Sequence, residues 1–386
     1  MTTAAAEAPP IPKMPIFFDW ELALICNYRC SYCPLNVIGF ENHRWNNVFP
    51  GLPRLAEVWS RIHERYGSCH IQLAGGESST YPRFYEFIEM LTSFHTVTFV
   101  TNLSFDVDKF ASRVNLSRVK ITASFHPQFA DFGEFLRKCA LLQEKGMRED
   151  IAVTFVAYPD QLRRMEEYKR AFNEAGLQFR PDPFNGVYKN NAVYPAAYTE
   201  EERRIIVEAL SDGREDSRLS LARFNWRGHA INSTTAALVK KANEEKVRAG
   251  EKPLEESMVW AGAKPIAAGC GQKQEPRKPV LCHMGQKYAK IRSNGDVFRC
   301  CAQPRDDRPS PVFEDRRYLG NLFLDDDFKL LDGPAWCDFE PCPCDRCMLA
   351  GEHDRWGELW AAPAPKAAPS ASLKNGGPTT TEKGGV

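Results

Sequence analysis

The sequence predicts an α/β fold in which helices pack outside a parallel sheet. Short apolar segments with strand character alternate with amphipathic helical segments from Phe17 to Phe184. Glycine, proline or an Asp/Asn turn separates most of these pieces. The 386 residues are 43% hydrophobic and 26% charged, the ordinary composition of a globular protein with room for one large domain or two.

Taken in order, "FFDWELALI" (17–25) is a strand that runs directly into a cysteine-rich loop. "RLAEVWSRIHERYG" (54–67) has helical spacing and a terminal glycine. "HIQLAGG" (70–76) is a short strand ending in two glycines. "YPRFYEFIEMLTSF" reads as helix, "TVTFVTN" as strand, "DVDKFASRV" as helix and "VKITASFH" as strand. "FADFGEFLRKCALLQEKG" is an amphipathic helix, "DIAVTFVAYP" a strand, "QLRRMEEYKRAFNEAG" a helix and "LQFRPDPF" (177–184) a sixth strand. Six units without a recognisable seventh and eighth leave two architectures open, an incomplete barrel or an open doubly wound sheet. Both place chemistry at the C-terminal strand ends.

Residues from about 185 to 280 break the alternation. Thr199 is an N-cap candidate for a helix in "YTEEERRIIVEALSD", and "STTAALVKKANEEKVRAG" is a second helix. "KYAKIRSNGDVFRCC" (287–301) is a hairpin, with Asn294-Gly295 expected to form a tight turn. The first dozen residues and the Ala/Pro/Gly-rich stretch after Trp360 are too poor in apolar residues to pack and read as disordered.

Fifty basic residues balance fifty acidic ones, so there is no electrostatic footprint for nucleic acid or an anionic membrane. The N-terminal residues lack a signal peptide's charged and apolar regions, and no apolar run is long enough to span a bilayer. The expected location is the cytoplasm, where thiols stay reduced. Thirteen cysteines then argue for metal rather than disulfides.

Three of those cysteines lie in "CNYRCSYCPLN", as Cys26, Cys30 and Cys33. The C-x3-C-x2-C spacing has no near fourth ligand. It admits a cubane iron–sulfur cluster with one iron left free, and it also admits zinc. More sequence bears on the choice. Tyr32 precedes the third cysteine, Gly75-Gly76-Glu77 closes the second strand, and Thr101-Asn102 ends the third.

Together these features resemble the radical S-adenosylmethionine (radical SAM) superfamily over roughly residues 16–185. The resemblance implies a partial (β/α)6 TIM-type barrel in which Cys26, Cys30 and Cys33 hold a [4Fe–4S] cluster and its open iron chelates S-adenosylmethionine. It implies cofactor contacts at Tyr32, Gly75, Gly76, Glu77, Asn102, Ser124 and His126, with the two glycines admitting backbone close to the cofactor's ammonium. For Ser124 and His126, strand-end hydrogen bonding is an equal reading. Ser78 stands where a proline often follows this tripeptide, and no fifth-strand adenine motif is recognisable.

The later cysteines resemble the family's SPASM or twitch extension, a small C-terminal β-hairpin/helix iron–sulfur module. Cys282, Cys300, Cys344 and Cys347 would hold one auxiliary [4Fe–4S] cluster, with Cys342 a substitute for Cys344. Cys301 and Cys337 could serve a second, atypical cluster, and a zinc ribbon is the competing reading. The expected organisation is a disordered 1–13, a barrel core over 14–185, a helical connector over 186–278, the auxiliary module over 279–358 and a tail over 359–386. Cys69 and Cys139 read as buried apolar residues, while Cys270, in a loop, is a candidate hydrogen donor.

The resemblance to radical SAM enzymes implies an enzyme with a low-potential electron donor such as flavodoxin or ferredoxin. Only 25 residues precede Cys26, which favours a small polar metabolite (a sugar, cyclitol or nucleotide derivative) over a peptide, and oxidation as the outcome. Epimerisation and peptide or protein maturation are the alternatives within enzymes. A non-catalytic iron–sulfur or zinc scaffold or redox sensor is the alternative outside them.

Overall fold

The structure is a computed structural model that describes residues 15–33, 35, 48–184, 186–189, 192–195, 197–211, 243–252, 280–300 and 317–337. Six strands, β1 (Phe17–Ala23), β2 (His70–Gly75), β3 (Thr96–Thr101), β4 (Val119–Phe125), β5 (Ile151–Ala157) and β6 (Gln178–Pro183), lie side by side in chain order. Each is parallel to the next. Unbroken order with right-handed crossovers sends every connection to the same face. A doubly wound sheet would reverse that order, so of the two architectures left open the incomplete barrel is the one observed.

The intervening helices are α1 (Leu52–Tyr66), α2 (Phe84–Phe94), α3 (Val107–Arg113), α4 (Phe132–Leu142) and α5 (Leu162–Glu174). Asp106 and Asp131 cap α3 and α4 by accepting the backbone N–H groups of Lys109 and Glu134. A sixth helix, α6 (Glu200–Ser211), follows. Thr199 caps it as expected, accepting the Glu202 N–H at 3.2 Å while the Glu202 carboxylate accepts the Thr199 N–H at 2.8 Å. Of the second helix expected in this region, residues 243–248 are described and are helical.

Strand alternation separates two faces. Phe18, Trp20 and Leu22 of β1 are buried toward the helices, where the Trp20 ring lies 5.7 Å from Trp59 and 5.6 Å from Phe87. Burial of each such aromatic contributes roughly 1.5–3 kcal/mol. The other face carries Asp19, Glu21, Gln72, Thr122, Ser124, Thr154, Arg180 and Asp182, all partly or well exposed. A parallel sheet covered on both faces is apolar throughout; this one keeps a polar, solvated concave face. Strand β6 ends the sheet, and Pro181 and Pro183 are compatible with an edge position because no further ladder bond is asked of them.

The C-terminal hairpin extends the same sheet. Strands β10 (Tyr288–Ile291), β11 (Asp296–Phe298) and β12 (Tyr318–Asn321) continue it beyond β1, with β10 parallel to β1 and Asp19 opposite Lys290. The Asp19 carboxylate accepts bonds from Lys290 Nζ at 3.0 Å and the Tyr288 hydroxyl at 2.9 Å. From the other side, Arg54 of α1 donates to the Phe323 carbonyl and Asp326. Arg65 of the same helix donates to the Phe328 carbonyl.

The hairpin turn differs from expectation. Arg292 N–H bonds the Asp296 carbonyl and Gly295 N–H bonds the Arg292 carbonyl, and of Asn294 and Gly295 only the glycine has positive φ, at 90°. This is a three-residue loop closed by a glycine of positive φ. Asn294 instead uses its side chain to hold Asp296. Short strands β7 (Gly186–Val187) and β8 (Val193–Tyr194) pair with each other, as do β9 (Val280–Cys282) and β13 (Ala335–Cys337).

Candidate active site

At the C-terminal end of β1 the chain enters the loop that bears Cys26, Cys30 and Cys33. The end of β2 is pressed against that entry. Gly76 N–H donates to the Ala23 carbonyl at 2.7 Å, and Glu77 N–H to the Ile25 carbonyl at 2.9 Å. A Cβ on Gly75 would stand 2.1 Å from the Ala23 oxygen, and one on Gly76 would stand 2.0 Å from the Ile25 oxygen. Gly75 also has φ of 132°. Both positions require glycine because two backbones meet there. The space a side chain would need is filled by the three residues that deliver Cys26.

Glu77 is 3% exposed. Its Oε1 accepts the Ser79 N–H at 2.9 Å and the Thr101 hydroxyl at 2.6 Å, and its Oε2 accepts the Asn102 N–H at 2.6 Å. Asn102 is buried in turn, and its side-chain amide donates to Asn27 Oδ1 at 2.9 Å, inside the cysteine loop. Ser78 opens a short 3-10 turn and bonds the Val100 carbonyl, so no proline is needed there to turn the chain.

The β4 end closes the loop from the other side. The Tyr32 hydroxyl and His126 Nδ1 are 2.8 Å apart, and burial pushes the His126 imidazole down to about 4. Gln128 accepts the Ser31 N–H at 3.0 Å and returns a bond to the Ser31 hydroxyl at 2.8 Å. The Tyr28 ring stacks on Phe129 at 5.2 Å, and Tyr158 from the end of β5 lies 5.1 Å from Tyr32. Ser124 bonds Thr154 across the strands at 2.9 Å, the strand-end reading of that residue. Tyr32, Gly75, Gly76, Glu77, Asn102 and His126 are thus all linked, directly or in one step, to the cysteine loop.

The three thiols are free; Cys30 is buried, and Cys26 and Cys33 are half-buried. Burial raises the Cys26 thiol, with Glu77 and Cys33 adding to the effect, and pushes Cys30 up to about 12 with Cys33 and Cys26 adding to it. Thiols so placed lose their protons when they bind a cationic centre, which stabilises the thiolates and releases the protons to solvent. Among the described residues no three His, Cys, Asp or Glu side chains converge as on a single metal ion. A cubane asks for no such convergence, because each thiolate takes its own iron corner. Their donor type and burial fit that group.

In the C-terminal part, Cys282 at the end of β9 and Cys300 after β11 are both buried. Cys282 Sγ accepts the Met284 N–H at 3.4 Å. Arg299, beside Cys300, donates to the carbonyls of Ala335 and Trp336, and Ala335 is the register partner of Cys282. One side chain therefore ties the Cys300 turn to the Cys282 ribbon. Cys270, Cys301, Cys342, Cys344 and Cys347 lie outside the described residues. Cys69 and Cys139 are buried, and burial pushes both thiols up to about 12.

Asn27, Gln128, Thr101 and Tyr158 were not singled out from sequence as parts of the site. Asn27 and Gln128 are ordinary loop residues whose partners lie 75 and 97 positions away. Thr101 reads in the sequence only as a strand end, and nothing near it signals its bond to Glu77.

No family model matches the chain, and no curated protein does. Solved structures do. One is anSMEcpe with bound AdoMet and the Cp18Cys peptide, at TM-score 0.43 and 12% identity, covering 81% of this chain and 78% of that one. Another is Streptococcus suis SuiB bound to precursor peptide SuiA, at TM-score 0.44 and 14% identity, covering 81% and 63%. BtrN in complex with AdoMet and 2-DOIA follows at TM-score 0.30 and 14% identity, covering 46% and 73%. These figures describe likeness of fold. The expectation of a small-molecule partner in preference to a peptide is corrected here, since anSMEcpe and SuiB, each matched over 81% of this chain, are both described with peptides bound. No helix among the described residues is long and apolar enough to cross a membrane.

Proposed function

We propose that this chain is a radical SAM enzyme acting on a peptide or protein. The observation that carries the reading is the seating of Gly75-Gly76-Glu77 against residues 23–25, which fixes a three-thiol loop at the mouth of a sequentially ordered parallel sheet. Cys26, Cys30 and Cys33 would hold a [4Fe–4S] cluster, which with S-adenosylmethionine supplies a 5′-deoxyadenosyl radical able to abstract hydrogen from an unactivated carbon.

The chain's own residues bind and orient. Asn27, Ser31 and Tyr32 are held by Asn102, Gln128 and His126, so the loop keeps its shape from both sides. Buried Tyr32 and Tyr158 form an apolar wall beside it that keeps bulk water from the reacting centre. The polar concave face below, with Ser124, Thr154, Arg180 and Asp182, offers hydrogen bonds and both charges to a substrate. Cys282 and Cys300 would contribute to one auxiliary cluster, which would supply an acceptor for the second electron if the net reaction is an oxidation.

Anaerobic reconstitution followed by iron and sulfide counting tests this, together with deoxyadenosine formation under dithionite. The expected result is cluster-dependent cleavage of S-adenosylmethionine that disappears when Cys26, Cys30 and Cys33 are all changed to Ala. Zinc without cleavage overturns the assignment. With a peptide substrate in hand, a product two hydrogens lighter marks oxidation, whereas solvent deuterium without mass loss marks epimerisation.

A further inference from the structure

We infer that Glu77 is a positioning residue that sets the reduction potential of the cluster held by Cys26, Cys30 and Cys33, rather than a ligand of the cofactor; this rests on the cluster reading above. Both carboxylate oxygens already accept hydrogen bonds within the chain. Ser79 N–H, the Thr101 hydroxyl and Asn102 N–H donate to them at 2.9, 2.6 and 2.6 Å. Every one of those partners is a donor, which is the company an ionised carboxylate keeps. The side chain is 3% exposed, so its charge is little screened by solvent.

The same residue grips both flanks of Cys26. Its backbone N–H holds the carbonyl of Ile25, the residue before the cysteine, at 2.9 Å. Its carboxylate fixes Asn102, whose amide holds Asn27, the residue after it, at 2.9 Å. A buried negative charge is thereby locked one residue-shell from a ligand of the cluster. Adding an electron to the cluster works against that charge, so Glu77 lowers the reduction potential and makes the reduced cluster the stronger reductant. Local charge, hydrogen bonding and burial are the levers by which a protein tunes such a centre.

The test is a potentiometric titration of the reconstituted holoenzyme, followed by the electron paramagnetic resonance signal of the reduced cluster without added substrate. Glu77→Gln removes the charge at nearly constant shape and is expected to move the midpoint to more positive potential. Thr101→Val keeps the carboxylate but removes a neutralising donor, and is expected to move it the opposite way. A Glu77→Gln midpoint that is unchanged or more negative overturns the proposal. If Glu77→Gln fails to retain a cluster, Thr101→Val decides alone, and an unchanged or more positive midpoint overturns it. Absence of any cluster signal in the wild-type chain defeats the cluster reading instead, so the two failures are told apart.

Discussion

The Tyr32 hydroxyl meets His126 Nδ1 at 2.8 Å across 94 residues of sequence, joining the cysteine loop to the end of β4. Burial pushes the imidazole down to about 4, so it is neutral at pH 7 and offers Nδ1 as acceptor or donor to the hydroxyl. Tyr32→Phe removes this bond without a cavity and should cost about 1 kcal/mol, read from urea denaturation. His126→Ala removes the bond and the ring together and should cost about 2 kcal/mol. Both variants should also lose iron faster to a chelator, whereas equal chelation rates would show that the bond does not steady the loop.

Gly76 gives the sharpest steric prediction. An alanine Cβ there stands 2.0 Å from the Ile25 oxygen and 2.9 Å from the Leu24 carbonyl carbon, all backbone. Neither partner can rotate away, so Gly76→Ala should cost at least about 3 kcal/mol and prevent iron uptake by the loop. Gly333→Ala is the control, with nothing within 4 Å of its added methyl, and should stay within about 0.5 kcal/mol of wild type. Normal iron uptake by Gly76→Ala would remove the close approach from the account of the site.

The strands and helices of the barrel were legible because each is written in its own residues, as in Phe18, Trp20 and Leu22 alternating with Asp19 and Glu21. The cysteine loop and Gly75-Gly76-Glu77 were legible as chemistry only together: a glycine pair at a strand end usually just turns the chain, but one placed a βα unit after three closely spaced thiols resembles a known cofactor site. What those glycines meet was not legible. They touch Ala23 and Ile25 some fifty residues back, and that contact exists only once β1 and β2 pair. The parallel pairing of β10 with β1 was hidden for a similar reason: the Asp19–Lys290 match spans 271 positions, and charge alone offers many other partners. The Asn294-Gly295 turn was placed correctly but given one residue too few, because Asn294 spends its side chain on Asp296 instead of adopting positive φ.

Acid should destabilise the fold before the carboxylates titrate. Burial pushes His70, His95 and His126 each down to about 4 from 6.5. His95 is the clearest case: it is fully buried, its Nδ1 accepts the Cys69 N–H at 3.1 Å, and its Nε2 lies 3.1 Å from the Trp59 carbonyl. A second proton would put N–H against N–H. The unfolded chain binds more protons between pH 6.5 and about 4, so stability is full above 6.5 and falls as pH drops through that window. His95 alone should contribute on the order of 2–3 kcal/mol to the fall. Asp182, pushed up to about 6 by burial, acts in the opposite sense below pH 6, but its solvent exposure weakens it. Urea midpoints between pH 7.5 and 4.5 check the sign, and His95→Gln should flatten the slope by about one proton.

The contact between α1 and the segment after β12 is a set of arginine bonds to carbonyl and carboxylate oxygens, and it should govern how firmly the hairpin is held. Arg54 Nε and Nη2 lie 3.1 and 2.8 Å from the Phe323 carbonyl, and Nη2 is also 2.8 Å from Asp326. Asp326 is well exposed, so its ion pair is worth little; the half-buried carbonyl bonds carry the energy. Arg54→Ala should therefore cost about 1–2 kcal/mol, while Asp326→Ala should leave stability nearly unchanged. Hydrogen exchange should separate the two, with amides of β11 and β12 exchanging faster in Arg54→Ala and those of β3 and β4 unchanged. Equal losses in both variants would mean that the charge pair, rather than the carbonyl, holds the hairpin to the barrel.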